Sequence, residues 1–461
     1  MKKFFALLFV SIGLFVKSFA NNNPMPVAVV SGKMNEFKNG EMILFKAEDG
    51  MRVKYASYQK KKDNKFAFAI PLSKAGLYYL SDQSGWFYIR LYLKPGDQVE
   101  LNVNYSGMYE IVKGSAENKL LFQWFKKVAV VTIPAFNTSD TTTYRSFFSK
   151  AKELKPQAAA FKKTIRTTNA EFNNILNQVI DIDVEYAAFR FCFTPRSISP
   201  SAIELSDFLN HFVSPRKYCN ARLLSLGESV DLLGLYITAN FMLSSATGRD
   251  SIQKSLQKRC EFFCNDTIKG AFIVSGFSRY RFYDEFTLNV SPVKQYLLTS
   301  DQMEAYDEKL KQFDTLLRAG KPSLNFQLPD VSGKRVAMSD LKGKIVLVDV
   351  WATWCAPCKA EIPHLKKLEE EFKGLDVAFV SVSVDKKEDR EKWTKFVEKE
   401  ELGGIQLFAG ENKSFDDFYK VNAIPRFMVF DKEGKIVNID APRPSTPELK
   451  QLLENTLNGK K

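Results

Sequence analysis

Histidine is almost missing from this chain of 461 residues, with His211 and His364 the only two. Cysteine is scarce as well: there are six, and only Cys355 and Cys358 stand as a C-x-x-C pair. A zinc site needs a second such pair or neighbouring histidines. Cys260 and Cys264 do not supply one, so no metal or cofactor is expected and His211 reads as structural. Long apolar stretches are lacking too. The one candidate, Phe4 to Val16, is too short for a comfortable transmembrane helix. Lys2 and Lys3 precede it and Ser18-Phe19-Ala20 follows, the pattern of a cleavable signal peptide over residues 1–20. The nearest cysteine that could take a lipid is the distant Cys192. The expectation is a mature chain from near Asn21, exported to the periplasm of a Gram-negative cell, with no transmembrane span. Disulfides persist in that compartment.

Acidic side chains do not balance basic ones, and the formal net charge is +13. Residues 321–461 are close to neutral, with about 24 basic and about 23 acidic side chains, so the excess lies upstream and includes Lys60-Lys61-Lys62. On an exported chain this reads as a solvated basic surface, or a weak attraction to an anionic envelope; nucleic acid is not an expected partner. A hydrophobic fraction of 45% supplies packed cores. The length fits a multidomain protein.

Residues 21–115 are expected to form an all-β, sandwich-like domain. The runs 27–30, 42–45, 53–58, 65–70, 77–80, 86–93 and 99–103 are rich in β-branched and aromatic residues. Turns such as Glu48-Asp49-Gly50 and Pro95-Gly96-Asp97 separate them. Phe66, Phe68 and Ile70 alternate with small or polar neighbours, as in a half-buried strand. From 116 to 318 the period becomes helical: Phe172, Ile175, Leu176 and Val179 mark one face, and Leu223, Leu226, Val230 and Leu233 another. Thr194-Pro195 and Ser214-Pro215 divide this central α-helical region into short helices, giving a helical linker domain. Cys192, Cys219, Cys260 and Cys264 all fall here. They serve as small core hydrophobes or form one or two disulfides. A Cys192–Cys219 link is favoured, because joining Cys260 to Cys264 across one helix face strains the bridge.

Residues 319–461 carry the chemistry. Lys344 to Val350 is an apolar, β-branched run that reads as a buried parallel strand. Lys359 to Phe372 has apolar residues at Ile362, Leu365, Leu368 and Phe372, which is helical spacing. The two cysteines therefore sit where a strand ends and a helix begins. Unpaired backbone N–H groups and the positive end of the helix dipole stabilise a thiolate there, and the thiolate is the reactive form. That pattern points to a redox dithiol. Asp349 lies six residues before Cys355 in an otherwise apolar strand, where burial raises a carboxyl pKa and suits it to proton transfer. Glu361, three residues past Cys358, shares its helical face. The plainer alternatives are a partly hydrated Asp349 and a surface charge at Glu361.

The block Trp351-Ala352-Thr353-Trp354-Cys355-Ala356-Pro357-Cys358-Lys359-Ala360-Glu361-Ile362-Pro363 resembles the thioredoxin superfamily, in particular the extracytoplasmic TlpA/ResA-like thiol-disulfide oxidoreductases. The lead-in Gly320-Lys321-Pro322 to Asp330 resembles that family too. So does Ile424-Pro425-Arg426-Phe427 to Asp431 with Gly434-Lys435, as its cis-proline loop and final hairpin. The resemblance covers under a third of the chain. The β region also resembles the amino-terminal domain that precedes the redox domain in envelope proteins of Bacteroidetes-type bacteria.

The resemblance implies a C-terminal α/β thioredoxin-like fold, with Cys355 as the exposed nucleophile and Cys358 as the inward resolving thiol. It places Asp349 where thioredoxins keep the aspartate that moves the resolving cysteine's proton, and Glu361 at the glutamate of ResA-like proteins. Ser381 stands where thioredoxins keep a lysine, which leaves the proton route open. Pro425 is expected to be cis, with Ile424 offering its backbone to an extended partner segment. Trp354, Ala356 and Pro357 complete the substrate-binding surface; Trp354 is expected to cover the disulfide and Trp351 to lie in the core. Pro357, in place of a polar or basic residue, leaves the thiolate less stabilised than in strongly oxidising relatives and favours a reductase.

The reading is an exported enzyme that reduces protein disulfides and is recharged by a membrane thiol-donor protein. The alternatives are an oxidase or isomerase using the same dithiol, and an envelope binding or assembly module. A peroxidase fits less well, since peroxiredoxins carry proline and threonine where this chain has Val348 and Ala352.

Overall fold

A computed structural model describes residues 25–459 apart from 35–39, 60–63, 84, 86, 105–106, 138–140, 197, 215–216, 245–254, 314–316 and 411. The expected signal peptide lies outside the described residues, as do Trp86 and Pro215. The chain forms two compact units, one of residues 1–214 and 222–243, the other of 215–221 and 244–461.

The first unit contains the expected β domain. Its strands are β1 (Val27–Met34), β2 (Glu41–Glu48), β3 (Met51–Gln59), β4 (Lys65–Pro71), β5 (Gly76–Asp82), β6 (Ile89–Leu93), β7 (Gln98–Val103) and β8 (Tyr109–Lys113). They make two four-stranded sheets, ordered β4-β1-β7-β8 and β3-β2-β5-β6. Alternation decides which side chains go inward: β4 buries Phe66, Phe68 and Ile70 and exposes the residues between them. These pack with Val30, Leu44, Leu80 and Leu101 into one core.

Helices α1 (Ala116–Phe136), α2 (Tyr144–Lys162), α3 (Ala170–Phe193), α4 (Ala202–Leu209) and α5 (Ser229–Leu243) belong to the same unit. The boundary between the two units falls within residues 116–318. A buried charge cluster joins β6 to the helices of the first unit. Arg90 donates Nη1 to Asp183 of α3 at 2.9 Å and Nη2 to both Asp183 and Glu228 at 2.5 Å. Trp124 Nε1 donates to Asp183 at 2.8 Å. Asp183→Asn would leave Arg90 and Trp124 underpaired in the interior and cost about 3 kcal/mol of stability. A urea midpoint unchanged from wild type would contradict this.

The face expected from Leu223 to Leu233 is buried, but it is not one helix. A 3-10 turn, Ala221–Ser225, breaks before α5 at Gly227. A Cβ on Gly227 would lie 2.6 Å from Arg52 Cγ and 2.9 Å from Tyr79 Cε2, and its N–H donates to the Tyr79 hydroxyl at 2.7 Å. The close approach brings Glu228 to Arg90.

The second unit begins with α6 (Leu256–Cys260), α7 (Asp266–Ser275), α8 (Tyr283–Val290) and α9 (Ser300–Gln312). Cysteine pairing differs from expectation. Cys219 is bonded to Cys264, with Cα atoms 5.1 Å apart, while Cys192 and the buried Cys260 are free thiols. Burial pushes both free thiols up to about 12, so neither carries thiolate at neutral pH. A bridge across 45 residues of chain is set by tertiary packing that local spacing does not encode.

The rest of this unit has a short hairpin, β9 (Gln327–Pro329) with β10 (Arg335–Ala337), before a five-stranded sheet. Its elements are β11 (Ile345–Trp351), α10 (Ala356–Glu371), β12 (Val377–Ser383), α11 (Arg390–Lys399), β13 (Ile405–Phe408), α12 (Lys413–Tyr419), β14 (Arg426–Phe430), β15 (Ile436–Ala441) and α13 (Pro447–Leu457). The strand order is β13-β12-β11-β14-β15, with β11, β12 and β13 parallel and β14 and β15 antiparallel. Leu365 and Leu368 of α10 and Leu449 and Leu453 of α13 cover Leu347 and Val429. Phe415 and Tyr419 of α12 pack with Val348 and Met428. Every residue of the central strand β11 is buried. Among the described residues, no helix is long and apolar enough to cross a membrane.

Candidate active site

Strand β11 delivers its chain end into the turn Ala352–Trp354, and α10 starts immediately after it. Cys355 is the N-cap of α10, and its sulfur accepts the Cys358 backbone N–H at 3.2 Å. Pro357 falls in the first turn, where its missing N–H has no helical partner to lose. Cys355 and Cys358 are joined as a disulfide, with Cα atoms 5.3 Å apart. The expectation of an exposed Cys355 is not met. Both cysteines are 4% exposed, packed with Trp351, Ala352, Trp393 and Phe408. The cluster that holds both cysteines draws residues from β13 and α11 as well as from the end of β11. The exposed surface here is instead Trp354, at 61%, with Ala356 and Pro357. Trp351 lies in the core, with Phe396 at 5.5 Å between ring centroids.

The Ile424–Pro425 peptide is cis. Ile424 packs on the cluster that holds both cysteines, so the loop before β14 reaches the dithiol. Pro363 lies within α10.

Asp349 faces Ser381 across the β11–β12 register and is 7% exposed. Burial, chiefly, pushes its carboxyl up to about 8; the charge of Glu361 adds to this, and a hydrogen bond from Ser381 opposes it. Among the described residues, Oδ1 of Asp349 has no hydrogen-bond partner. Glu361, 5% exposed, is a buried carboxylate on the dithiol helix and not a surface charge. It accepts the Ser445 backbone N–H at 2.9 Å and the Ser445 hydroxyl at 3.0 Å, and Arg443 stands 3.9 Å away. The two cysteines and Ile424 thus share one cluster, and Asp349 and Glu361 interact with each other on the adjoining strand and helix.

Three further features shape the site. Asp385, just beyond β12, accepts the Thr353 backbone N–H at 2.9 Å and its hydroxyl at 2.8 Å, and the Ser383 hydroxyl at 2.8 Å. This fixes the turn in front of Cys355. Ser445 secures Glu361 from 84 residues away in sequence. Arg426, directly after Pro425, is buried beneath the loop. A polar residue at a strand end was the only local signal for Asp385, and Ser445 offered none.

A dithiol at a helix start, a buried aspartate in the adjacent central strand and a cis-proline loop reaching the same cluster define a thiol-disulfide oxidoreductase of thioredoxin fold. Comparison with known proteins agrees. Residues 319–439 match the AhpC/TSA family. The thiol-disulfide oxidoreductase ResA of Bacillus cereus is 31% identical over 121 residues, 26% of this chain and 68% of that protein. The thioredoxin-like protein YneN of Bacillus subtilis is 31% identical over 139 residues, 30% of this chain and 80% of YneN. Among solved structures, the thioredoxin domain of a thiol-disulfide oxidoreductase from Bacteroides vulgatus is 30% identical, covering 31% of this chain and 99% of that one, with a TM-score of 0.28. A thiol:disulfide interchange protein from a Bacteroides species is 30% identical, over 32% of this chain and 95% of that one, with a TM-score of 0.29. The chain belongs to the ResA family of thiol-disulfide oxidoreductases.

Proposed function

We propose that the protein is exported to the periplasm and reduces protein disulfides through Cys355 and Cys358. The observation that carries this reading is the Cys358 N–H on Cys355 Sγ at the start of α10, with the Pro425 loop against the same cluster. In the reduced enzyme the Cys355 thiolate attacks one sulfur of a substrate disulfide. A mixed disulfide forms and one substrate thiolate leaves. Cys358 then gives its proton to Asp349 and attacks Cys355 Sγ, so the second substrate sulfur leaves as a thiolate and takes its proton from solvent. The substrate has gained two electrons and the enzyme holds the Cys355–Cys358 disulfide. Trp354, Ala356, Pro357, Ile424 and Pro425 form the docking surface, and Glu361 keeps the carboxyl pair adjusted.

A membrane thiol donor returns the pair to the dithiol. Export rests on the basic and apolar start of the sequence, and the division into residues 21–115, 116–318 and 319–461 stays a proposal about folding units.

Reduction potential tests the direction, read from Trp354 fluorescence in thiol/disulfide buffers. We expect a value near or below roughly −230 mV, in the range of thioredoxin and glutaredoxins. A value above about −180 mV, towards disulfide isomerase and DsbA, would make the protein an isomerase or oxidant and overturn the reductase reading.

A further inference from the structure

Arg426 is the residue after the cis proline, and it is 6% exposed. Its guanidinium has no carboxylate hydrogen-bonded to it among the described residues and is spent on main-chain carbonyls. Nε and Nη2 donate to Ile439 O at 3.1 and 3.0 Å, and Nη1 donates to Tyr419 O at 2.5 Å and Lys420 O at 3.0 Å. Tyr419 ends α12 and Lys420 is its cap, in the left-handed conformation at φ 51°. Ile439 lies in β15. From the position that follows Pro425, one side chain therefore ties together the end of α12 and the edge strand. The stretch 421–425 is closed at both ends by the same cation.

The floor beneath this cation comes from the helical segment that precedes the redox fold. The Phe282 ring lies 4.5 Å from the guanidinium carbon and is buried in the core cluster shared by Val348, Met428 and Phe430. A guanidinium face on a desolvated ring is a favourable arrangement. Burial pulls Arg426 down to about 10, with Arg281 adding to the effect and Asp440 opposing it, and the group stays charged at neutral pH. Keeping a cation inside at that desolvation cost is worthwhile where it fixes a geometry that apolar packing would leave loose.

We infer that Arg426, seated on Phe282, is a positioning residue that holds the Ile424–Pro425 loop in the shape that grips an extended protein segment, and so sets the affinity for protein disulfides and not the reactivity of the dithiol. This rests on the proposed disulfide exchange at Cys355 and Cys358. It also gives the segment before the redox fold a role in substrate selection.

The test compares insulin with a small aromatic disulfide as substrates for the full-length protein and for Arg426→Gln, Arg426→Lys and Phe282→Leu. Arg426→Gln should raise the KM for insulin about tenfold, the scale of losing charge-assisted hydrogen bonds, with kcat little changed. Arg426→Lys, a point charge without the planar fork, should fall between wild type and Arg426→Gln. Phe282→Leu keeps an apolar floor and should raise the same KM about threefold. Turnover of the small disulfide and the reduction potential should stay at wild-type values in all three. Equal losses on both substrates, or an unchanged insulin KM in Phe282→Leu and Arg426→Lys, would overturn the inference. Should Arg426→Gln not fold, those two variants decide it. A wild-type protein that turns over neither disulfide would instead overturn the underlying redox reading.

Discussion

Cys355→Ser abolishes the reduction of insulin, and Cys358→Ser does not behave like it. Serine at 355 still caps α10 and still accepts the 358 N–H, so the helix start survives. The hydroxyl, however, is not ionised at working pH and cannot act as the attacking thiolate. Cys358→Ser keeps the Cys355 sulfur and the backbone donor that stabilises it, since that N–H belongs to the main chain. It loses only the group that resolves the mixed disulfide. Substrate then accumulates covalently on Cys355, visible as high-mass bands on a non-reducing gel that collapse with dithiothreitol. Insulin turnover at the wild-type rate in Cys355→Ser would refute the mechanism. Identical gels for the two variants would refute the division of roles between the sulfurs.

What could be read from the sequence was local. The strand–dithiol–helix junction is contiguous, so hydrophobic period and cysteine spacing together gave β11, α10 and the sulfur positions. The burial of Asp349 was legible because the strand around it is fully apolar. The alternation at Phe66, Phe68 and Ile70 placed β4 correctly for the same reason of period. Elsewhere the deciding partner was distant. The Cys219–Cys264 bridge, the Ser445 hold on Glu361 and the Arg90–Asp183–Glu228 cluster each join residues tens of positions apart or more. Arg426 was visible as a letter beside Pro425, but its partners are carbonyl oxygens, which every residue carries and no sequence pattern marks. The burial of Cys355 was hidden similarly, since Trp393 and Phe408 come from later elements.

Asp349→Asn should slow the enzyme and stabilise it at once. The carboxyl is buried, and in the folded protein its pKa is raised from 3.8 to about 8. Between those values the unfolded chain is ionised and the folded one is protonated. Folded protein therefore binds more protons, and stability falls as pH rises through this window, levelling off above about 8. Asparagine has no such proton to lose. Its stability advantage should be small near pH 4 and grow to its plateau by about pH 8, with an upper scale on the order of 5 kcal/mol. Catalysis moves the opposite way. Transfer of the Cys358 proton needs the unprotonated carboxylate, so wild-type resolution of the mixed disulfide should accelerate up to about pH 8, and Asp349→Asn should lose that limb with a drop of about 100-fold or more. Stopped-flow fluorescence across pH reads the rate, and urea denaturation of the oxidised protein reads the stability. If the variant were destabilised at pH 8, the buried-carboxylate account would fail. A wild-type pH–rate limb retained in Asp349→Asn would move the proton acceptor elsewhere, with Glu361 the next carboxylate to test.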